Sequence, residues 1–287
     1  MLSGLNQFFV RGRRLRMVLS TGALILGPLA IARGATLQSG GSTLLVNPDS
    51  AVMNYSWLVD GMDQFGGSPK GQESFFFSVG DAGPQSLSAL THNVIYNSGG
   101  VLTVGYTDPG EFTLVLSDNL AGGSTNAALT ELLSFNNTSG ATLNLHVFQY
   151  ANFNADGAGN DNTLSLSGLP TNTADQTDTM GDHVNVAADS PDEYQIANDS
   201  SVYMKVTAPT FEPLSDNSTG PITGNTSFGF EWDPAIGVGG SYQISITESV
   251  SAQCHAVPLP GAGYGALATL GGIAGIAAIR RARRLIA

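Results

Sequence analysis

The stretch SYQISITE, residues 241–248, decides the fold of this protein. Apolar and polar residues alternate along it: Tyr242, Ile244 and Ile246 on one side, Gln243, Ser245 and Thr247 on the other. Successive side chains of a β-strand point to opposite faces of its sheet. The alternation therefore predicts a strand with one face in the core and the other face in water.

Short apolar runs recur through the chain, and residues that favour turns separate them. The runs are STLLV (42–46), SFFFSV (74–79), VLTVGY (101–106), FTLVLS (112–117), ATLNLHVFQY (141–150), SVYMKV (201–206) and SFGFEW (227–232). Only TNAALTELLSF (125–135) reads as a helix. Many short strands at close spacing predict an all-β fold, an antiparallel β-sandwich over residues 35–250.

The charges are segregated along the chain, and this limits the partners. Residues 35–254 contain two cations, Lys70 and Lys205, against all 23 acidic residues, which is a net charge of −21. Nucleic-acid binding draws most of its affinity from cations that neutralise phosphates, so we exclude nucleic acid as a partner. Anionic lipid would repel this segment, whereas cations, neutral glycans and basic proteins remain compatible with it.

The first 34 residues have the organisation of a secretory signal peptide. Four arginines form a positive region: Arg11, Arg13, Arg14 and Arg16. The apolar stretch that follows, over 17–31, is short for a membrane span and fits the apolar core of a signal peptide. Small residues just before Ala35 offer cleavage sites. We therefore predict export, with residues 1–34 as the signal peptide.

The C-terminus combines three features in a fixed order. They are the motif Val257-Pro258-Leu259-Pro260, the uncharged stretch over 261–279, and a cluster of Arg280, Arg281, Arg283 and Arg284. The uncharged stretch approaches the roughly twenty residues that a helix needs to cross a bilayer core. Arginines at both ends of the chain, around a nearly cation-free middle, place the body across the membrane from the cytoplasm by the positive-inside rule.

This order resembles the PEP-CTERM sorting tail in its VPLP variant, over residues 257–287. The resemblance implies export in a Gram-negative-type bacterium, transient membrane insertion through the helix over 261–279, and processing by an exosortase-type membrane protease or transpeptidase. It also implies a final location at the cell surface or in the extracellular matrix, where extracellular polysaccharide is a partner. Residues 251–256 then form a spacer. An ordinary C-terminal membrane anchor is the alternative.

Two stretches of the body are similar to a β-rich ectodomain found on PEP-CTERM proteins. They are ELLSFNNTSGATLNLHVFQYANFN (131–154) and FGFEWDPAIGVGGSYQIS (228–245). The similarity implies the β-rich fold and the exported location. It carries no catalytic residues over to this chain.

The best candidate for a ligand site is the loop NADGAGNDN, residues 154–162. Asn154, Asp156, Asn160 and Asp161 place oxygen ligands in a glycine-bent loop, as calcium requires, although the bidentate glutamate of an EF-hand is missing. The same residue types also form ordinary solvated turns, and that interpretation is favoured. Calcium is the one cofactor that the sequence suggests.

Catalytic signatures are sparse in this sequence. It contains neither a G-x-S-x-G nucleophile elbow nor an H-E-x-x-H zinc motif, and its four histidines are scattered. His146 is expected on the outer face of its strand, opposite the apolar row of Leu143, Leu145 and Val147. The aromatic residues Trp57, Trp232, Tyr150 and Tyr242 are expected in the core or on edge strands. Carboxylate pairs for glycoside cleavage can be chosen from the 23 acids, but sequence does not show their separation.

The sequence therefore favours a non-enzymatic, exported envelope or matrix protein with a structural or adhesive role. A calcium-dependent glycan-binding module is the first alternative, and a secreted polysaccharide hydrolase is the second.

Overall fold

The computed structural model describes residues 34–65, 72–123, 125–155, 162–198 and 200–252. The predicted sorting tail, with its helix over 261–279, lies outside these ranges, and so does the predicted signal peptide apart from Gly34. Among the described residues, no helix has the length and apolar character that a membrane crossing requires.

The described chain is built almost entirely of strands. In order, they are β1 Ala35–Ser39, β2 Ser42–Val46, β3 Asn54–Val59, β4 Met62–Asp63, β5 Gln72–Val79, β6 Gln85–Ser86, β7 Thr91–Ser98, β8 Val101–Asp108, β9 Phe112–Gly122, β10 Asn126–Asn137, β11 Leu143–Asn152, β12 Asn162–Ser167, β13 Thr173–Thr177, β14 His183–Ala188, β15 Glu193–Asn198, β16 Ile222–Gly224, β17 Thr226–Trp232, β18 Ala235–Ile236 and β19 Ser241–Ser251. A 3₁₀ helix, Leu87–Ala89, follows β6, and one α-helix, α1, Ser201–Val206, follows β15.

The strands form two antiparallel sheets that pack face to face. The first sheet has the order β1-β2-β3-β5-β11-β17-β15, with β4, β6 and β18 attached to β3, β5 and β11. The second sheet has the order β16-β12-β13-β14-β19-β10-β9-β8-β7. The prediction of an all-β antiparallel sandwich is confirmed.

The alternation in SYQISITE has the predicted consequence. In β19, Ile244 and Ile246 are buried between the sheets, whereas Gln243 is exposed on the outer face. Leu133, which pairs with Ile244 across β10 and β19, is buried as well. Each such side chain stabilises the fold by roughly 1.5–3 kcal/mol relative to exposure, so the inner rows hold the sheets together.

Two local predictions were wrong. The segment 125–135, read as a helix, lies in β10, where residues alternate between buried and exposed and pair with β9 on one side and β19 on the other. Pairing on both edges and burial of one face override the helix-favouring residues. The run SVYMKV, read as a strand, is α1, which buries Val202 and Val206 from positions four apart, on one helix face.

Helix α1 covers a second, smaller core on the outer face of the first sheet. Its buried members are Phe76, Phe148, Tyr150, Val202, Val206 and Leu214. Gly229 of β17 permits this approach, because a Cβ there would lie 3.0 Å from Cγ1 of Val202 and 3.2 Å from Cδ1 of Leu214. The first sheet is therefore covered on both faces in this region.

The remaining expectations about the body concern its end and its aromatic residues. Strand β19 runs to Ser251 and Ala252 is buried, so the domain extends two residues past the predicted boundary at 250. Trp57, Trp232 and Tyr150 are buried, as expected. They are therefore not available to stack on a ligand at the surface.

Candidate functional site

Three side chains of the first sheet converge on its outer face, and we call His146, Glu231 and Asp233 the histidine–carboxylate cluster. His146 lies on β11, while Glu231 lies on β17 and Asp233 directly follows that strand. Val147 pairs with Trp232 across the two strands, and both are buried in the main core. The residues before and after this pair therefore point outward, which brings His146 beside Asp233.

The contacts within the cluster are short. Nδ1 of His146 lies 2.5 Å from Oδ1 of Asp233 and 3.9 Å from Oε1 of Glu231. The ring of Phe211 covers the imidazole, with ring centroids 3.9 Å apart. The side chain of His146 is 18% exposed and that of Asp233 is 31% exposed, so solvent reaches the pair while the aromatic ring restricts its motion.

Glu231 is the buried member of the cluster. Its Oε2 accepts a hydrogen bond of 2.7 Å from the backbone N–H of Leu214, in the segment that follows α1. Burial raises the pKa of Glu231 to about 9, and the neighbouring charges of Asp233 and Glu193 add to the increase. At neutral pH the Glu231 carboxyl group is therefore protonated, which makes it a proton donor.

Further acidic groups surround the cluster. Glu193 of β15 pairs directly with Glu231, and burial together with the charge of Asp233 raises the pKa of Glu193. Asp192 accepts a hydrogen bond of 2.8 Å from the backbone N–H of Asp233. Lys205, the one lysine or arginine among the described residues, donates to the carbonyl of Pro213. The surroundings of the cluster are consequently acidic, which favours neutral or cationic ligands over anions.

The arrangement can transfer protons in both directions. Asp233 and His146 form a hydrogen-bonded pair that is able to accept a proton, and protonated Glu231 is able to donate one. Environments that push the pKa values of neighbouring groups apart separate the acid from the base in this way. The ligand atoms of the three residues also lie within 4.8 Å of one another, as in a metal site. Glu231 and His146 are already engaged in hydrogen bonds, with the backbone N–H of Leu214 and with Asp233, so proton transfer is the better use of this geometry.

Of the four calcium ligands predicted from the loop 154–162, the structure describes Asn154. Asn154 is buried just beyond the opposite end of β11, and its Oδ1 accepts a hydrogen bond of 3.4 Å from Nδ2 of Asn162. Asp156, Asn160 and Asp161 lie outside the described residues. The calcium site in this loop therefore stays a prediction.

The predicted sorting residues also lie outside the described part of the chain. They are Val257, Pro258, Leu259, Pro260, Arg280, Arg281, Arg283 and Arg284.

Sequence reasoning placed one member of the histidine–carboxylate cluster correctly and missed the other two. His146 does lie on the outer face of β11, but Phe211 and Asp233 cover most of it. Glu231 and Asp233 stand in the run FEWD, where alternation puts both on the face opposite Trp232. That pattern is a usable signal, but it does not reveal that β11 is the neighbouring strand.

No family model and no curated protein matches this chain. Several solved structures share its β-sandwich fold. A bacterial glucoamylase in complex with acarbose has a TM-score of 0.57 and 10% identity; the match covers 78% of this chain and 33% of that chain.

Two further structures match over nearly their whole length. A putative aldose 1-epimerase from Escherichia coli K12 has a TM-score of 0.51 and 12% identity, and the match covers 77% of this chain and 99% of that chain. A galactose mutarotase related enzyme from Lactobacillus acidophilus has a TM-score of 0.51 and 11% identity, over 79% of this chain and 100% of that chain. At these identities the likeness establishes the fold alone.

Proposed function

We propose that this protein is an exported carbohydrate-active protein that binds a reducing sugar at the histidine–carboxylate cluster and interconverts its anomers by acid–base catalysis. One observation carries the proposal. A buried carboxyl group that stays protonated at neutral pH, Glu231, lies 3.9 Å from a partly exposed His146 that is hydrogen-bonded to Asp233.

The structural neighbours support a role with sugars. Three of these structures are a glucoamylase, a putative aldose 1-epimerase and a galactose mutarotase related enzyme. Such neighbours agree with the glycan-binding and hydrolase alternatives from the sequence, and not with a structural or adhesive role. The match spans whole epimerase-type chains but only a third of the glucoamylase, which favours epimerase-type chemistry over glycoside hydrolysis.

The proposed reaction opens and recloses a hemiacetal ring. The His146–Asp233 pair accepts the proton of the anomeric hydroxyl group, while Glu231 donates its proton to the ring oxygen through one water molecule, because its own side chain is fully buried. The bond between C1 and the ring oxygen breaks, and the electron pair of the former O–H bond forms the C1 carbonyl. Rotation about the C1–C2 bond exposes the other carbonyl face, and reversal of both proton transfers closes the ring as the other anomer. General acid–base catalysis of this kind contributes about 10²–10⁴-fold.

The direct test is the rate of anomer exchange, measured by polarimetry or by magnetisation-transfer NMR on fresh α-glucose and α-galactose. We expect the wild-type protein to accelerate exchange above the buffer rate. Glu231→Gln and His146→Gln should each reduce the acceleration by about 100-fold, because each variant lacks one of the two proton-transfer groups.

His183→Gln is the matched control, because His183 also pairs with an aspartate, Asp175, at 3.0 Å but lies on the second sheet. It should retain the wild-type rate. Exchange no faster than in buffer for every aldose tested would overturn the catalytic proposal. Sugar binding without faster exchange would leave a glycan-binding module in its place.

We infer the exported location from the two ends of the chain. The arginine-rich N-terminus and the PEP-CTERM-like tail support export through an inner-membrane intermediate to the cell surface or extracellular matrix, with an exosortase as the processing partner. Mass spectrometry of the mature C-terminus tests this proposal. A cut near Pro258 is expected, and a full-length chain in an exosortase-competent cell would contradict it.

A further inference from the structure

Four acidic residues meet in the middle of the sandwich, and we call them the interior carboxylate cluster. Glu73 comes from β5 of the first sheet; Asp118, Glu131 and Glu248 come from β9, β10 and β19 of the second sheet. All four are buried, with exposures of 0–1%. The carboxylate oxygens of Glu73, Glu131 and Glu248 lie within 4.8 Å of one another.

Two amide side chains hold the glutamates in place. Nδ2 of Asn54 donates to Oε2 of Glu73 at 2.8 Å and to Oε1 of Glu131 at 3.3 Å. Nε2 of Gln149 donates to Oε1 of Glu73 at 2.6 Å and to Oε1 of Glu248 at 3.2 Å. Each amide therefore bridges the two sheets through a pair of carboxylates.

The remaining oxygens of this group have no hydrogen-bond partner among the described residues. They are Oδ1 of Asn54, Oδ1 and Oδ2 of Asp118, Oε2 of Glu131, Oε1 of Gln149 and Oε2 of Glu248. A buried polar atom without a partner costs about 1–3 kcal/mol, and more when it is charged. Six such atoms lie in this one group. Their lack of partners points to a ligand, and it is an observation separate from the presence of acids.

Asp118 is the clearest case. It lies directly opposite Glu131 in the pairing of β9 with β10, so both side chains point to the same inner face. Neither of its oxygens accepts a hydrogen bond from a described residue.

Within the described ranges, no lysine or arginine lies at this place. Lys205 is the single lysine or arginine among the described residues, and it lies at the surface beside Pro213. Protons shared between the carboxyl groups would reduce the repulsion.

We propose that the interior carboxylate cluster is a calcium site that ties the two sheets together. Calcium takes six to eight oxygen ligands in flexible geometry, and this set offers carboxylate and amide oxygens from both sheets. Turning either amide by 180° exchanges its NH₂ group for its oxygen, so Asn54 and Gln149 can provide neutral ligands without movement of the backbone. Magnesium demands octahedral geometry and keeps several waters, which suits a fully buried site less well.

This site is distinct from the loop 154–162 and from the histidine–carboxylate cluster, and it does not depend on the proposed sugar chemistry. Its role is structural, because an ion bound to both sheets stabilises only the folded state. Full burial implies that the ion enters during folding and leaves only when the sheets separate.

The test is therefore a refolding experiment on the full chain in mild detergent. The protein is unfolded in denaturant with EDTA, refolded with CaCl₂ or with EDTA, and passed through a desalting column. We expect one calcium per chain by elemental analysis after refolding in CaCl₂. At calcium about 100-fold above its Kd, Tm should rise by roughly 5–10 °C.

Variants locate the ion. Glu131→Gln removes one carboxylate ligand at constant size, so it should abolish most of the gain in Tm with calcium; Asp118→Asn should act in the same direction. Glu231→Gln, a change at a buried glutamate outside the cluster, and Asp161→Ala, in the loop, should both retain the wild-type gain.

Three results would overturn the proposal. The first is refolded protein without calcium and with an unchanged Tm. The second is an equal gain in Tm with NaCl at matched ionic strength. The third is calcium binding that survives both Glu131→Gln and Asp118→Asn but disappears in Asp161→Ala.

Discussion

The two carboxylate groups of this protein are built from the same residue type and behave differently. In the interior carboxylate cluster, four acids lie between the sheets, away from water, and amide groups from Asn54 and Gln149 hold three of them. In the histidine–carboxylate cluster, an imidazole and a backbone N–H hold two acids at the edge of a small outer core, where solvent reaches Asp233.

The difference in solvent access indicates the role that each cluster suits. A group closed between two sheets cannot meet a substrate, so its unpartnered oxygens suit an ion that is trapped during folding. In the cluster on the outer face, Glu231 is buried and its pKa is raised, while Asp233 is reached by solvent, so proton transfer becomes accessible. The face of the sheet on which an acid lies therefore decides between a structural and a chemical role.

The largest effect should come from removal of an amide in the interior cluster. Gln149→Leu deletes the N–H groups that bridge Glu73 and Glu248, which leaves buried carboxylates with fewer donors. The free energy of unfolding in EDTA should fall by about 2–4 kcal/mol, as measured by urea denaturation. Gln243→Leu, at an exposed position of β19, is the control and should stay within about 0.5 kcal/mol of wild type. Equal losses of unfolding free energy in both variants would show that the buried amide of Gln149 contributes no more to stability than an exposed one.

A pH series tests the outer cluster. The folded-state pKa of Glu231, about 9, lies above its ordinary value of 4.5, so the folded protein keeps a proton that the unfolded chain releases. This contribution to stability is complete below about pH 4.5 and declines as pH rises towards 9, by up to about 1.4 kcal/mol per pH unit.

Glu231→Gln cannot ionise, so its unfolding free energy should decline less between pH 5 and pH 8 than that of wild type. Urea midpoints for both proteins, measured at fixed calcium, give the difference and cancel the contribution of the interior cluster. Parallel curves would show that Glu231 does not keep its proton.

The smallest expected effect is the difference in stability between variants of the two histidine–aspartate pairs. His146→Gln loses the contact with Phe211 and the hydrogen bond to Asp233, and it should lower stability by about 1 kcal/mol. His183→Gln disrupts a pair whose side chains are 42% and 37% exposed, so the loss should be less than about 0.5 kcal/mol. Thermal denaturation of the two variants measures this. A larger loss for His183→Gln would show that exposure does not set the strength of these pairs.

Part of the fold and part of each cluster were predictable from local pattern. The alternation of Tyr242, Ile244 and Ile246 predicted the strand. Glu248, two residues after Ile246 in the same row, is also buried. The row in β10 holds Glu131 in the same way, but helix-favouring neighbours concealed it. Alternation thus reports which acids face inward once a segment is known to be a strand.

Neighbouring strands were not predictable in the same way. Gln149 and Glu248 are 99 residues apart in the chain, and Asn54 and Glu131 are 77 residues apart. A period-two pattern states that one face is buried, but it carries no information on which strand lies opposite. The same limit hid the meeting of His146 with Asp233.

The sequence by itself determined the class of fold, the segregation of charge and the expectation of export, because periodicity, composition and end signals are local properties. Tertiary structure alone decided which acids converge, since strand order and the packing of two sheets join residues from distant parts of the chain. It also decided the protonation of Glu231, because burial acts on a carboxyl group only after α1 and its following segment cover the sheet.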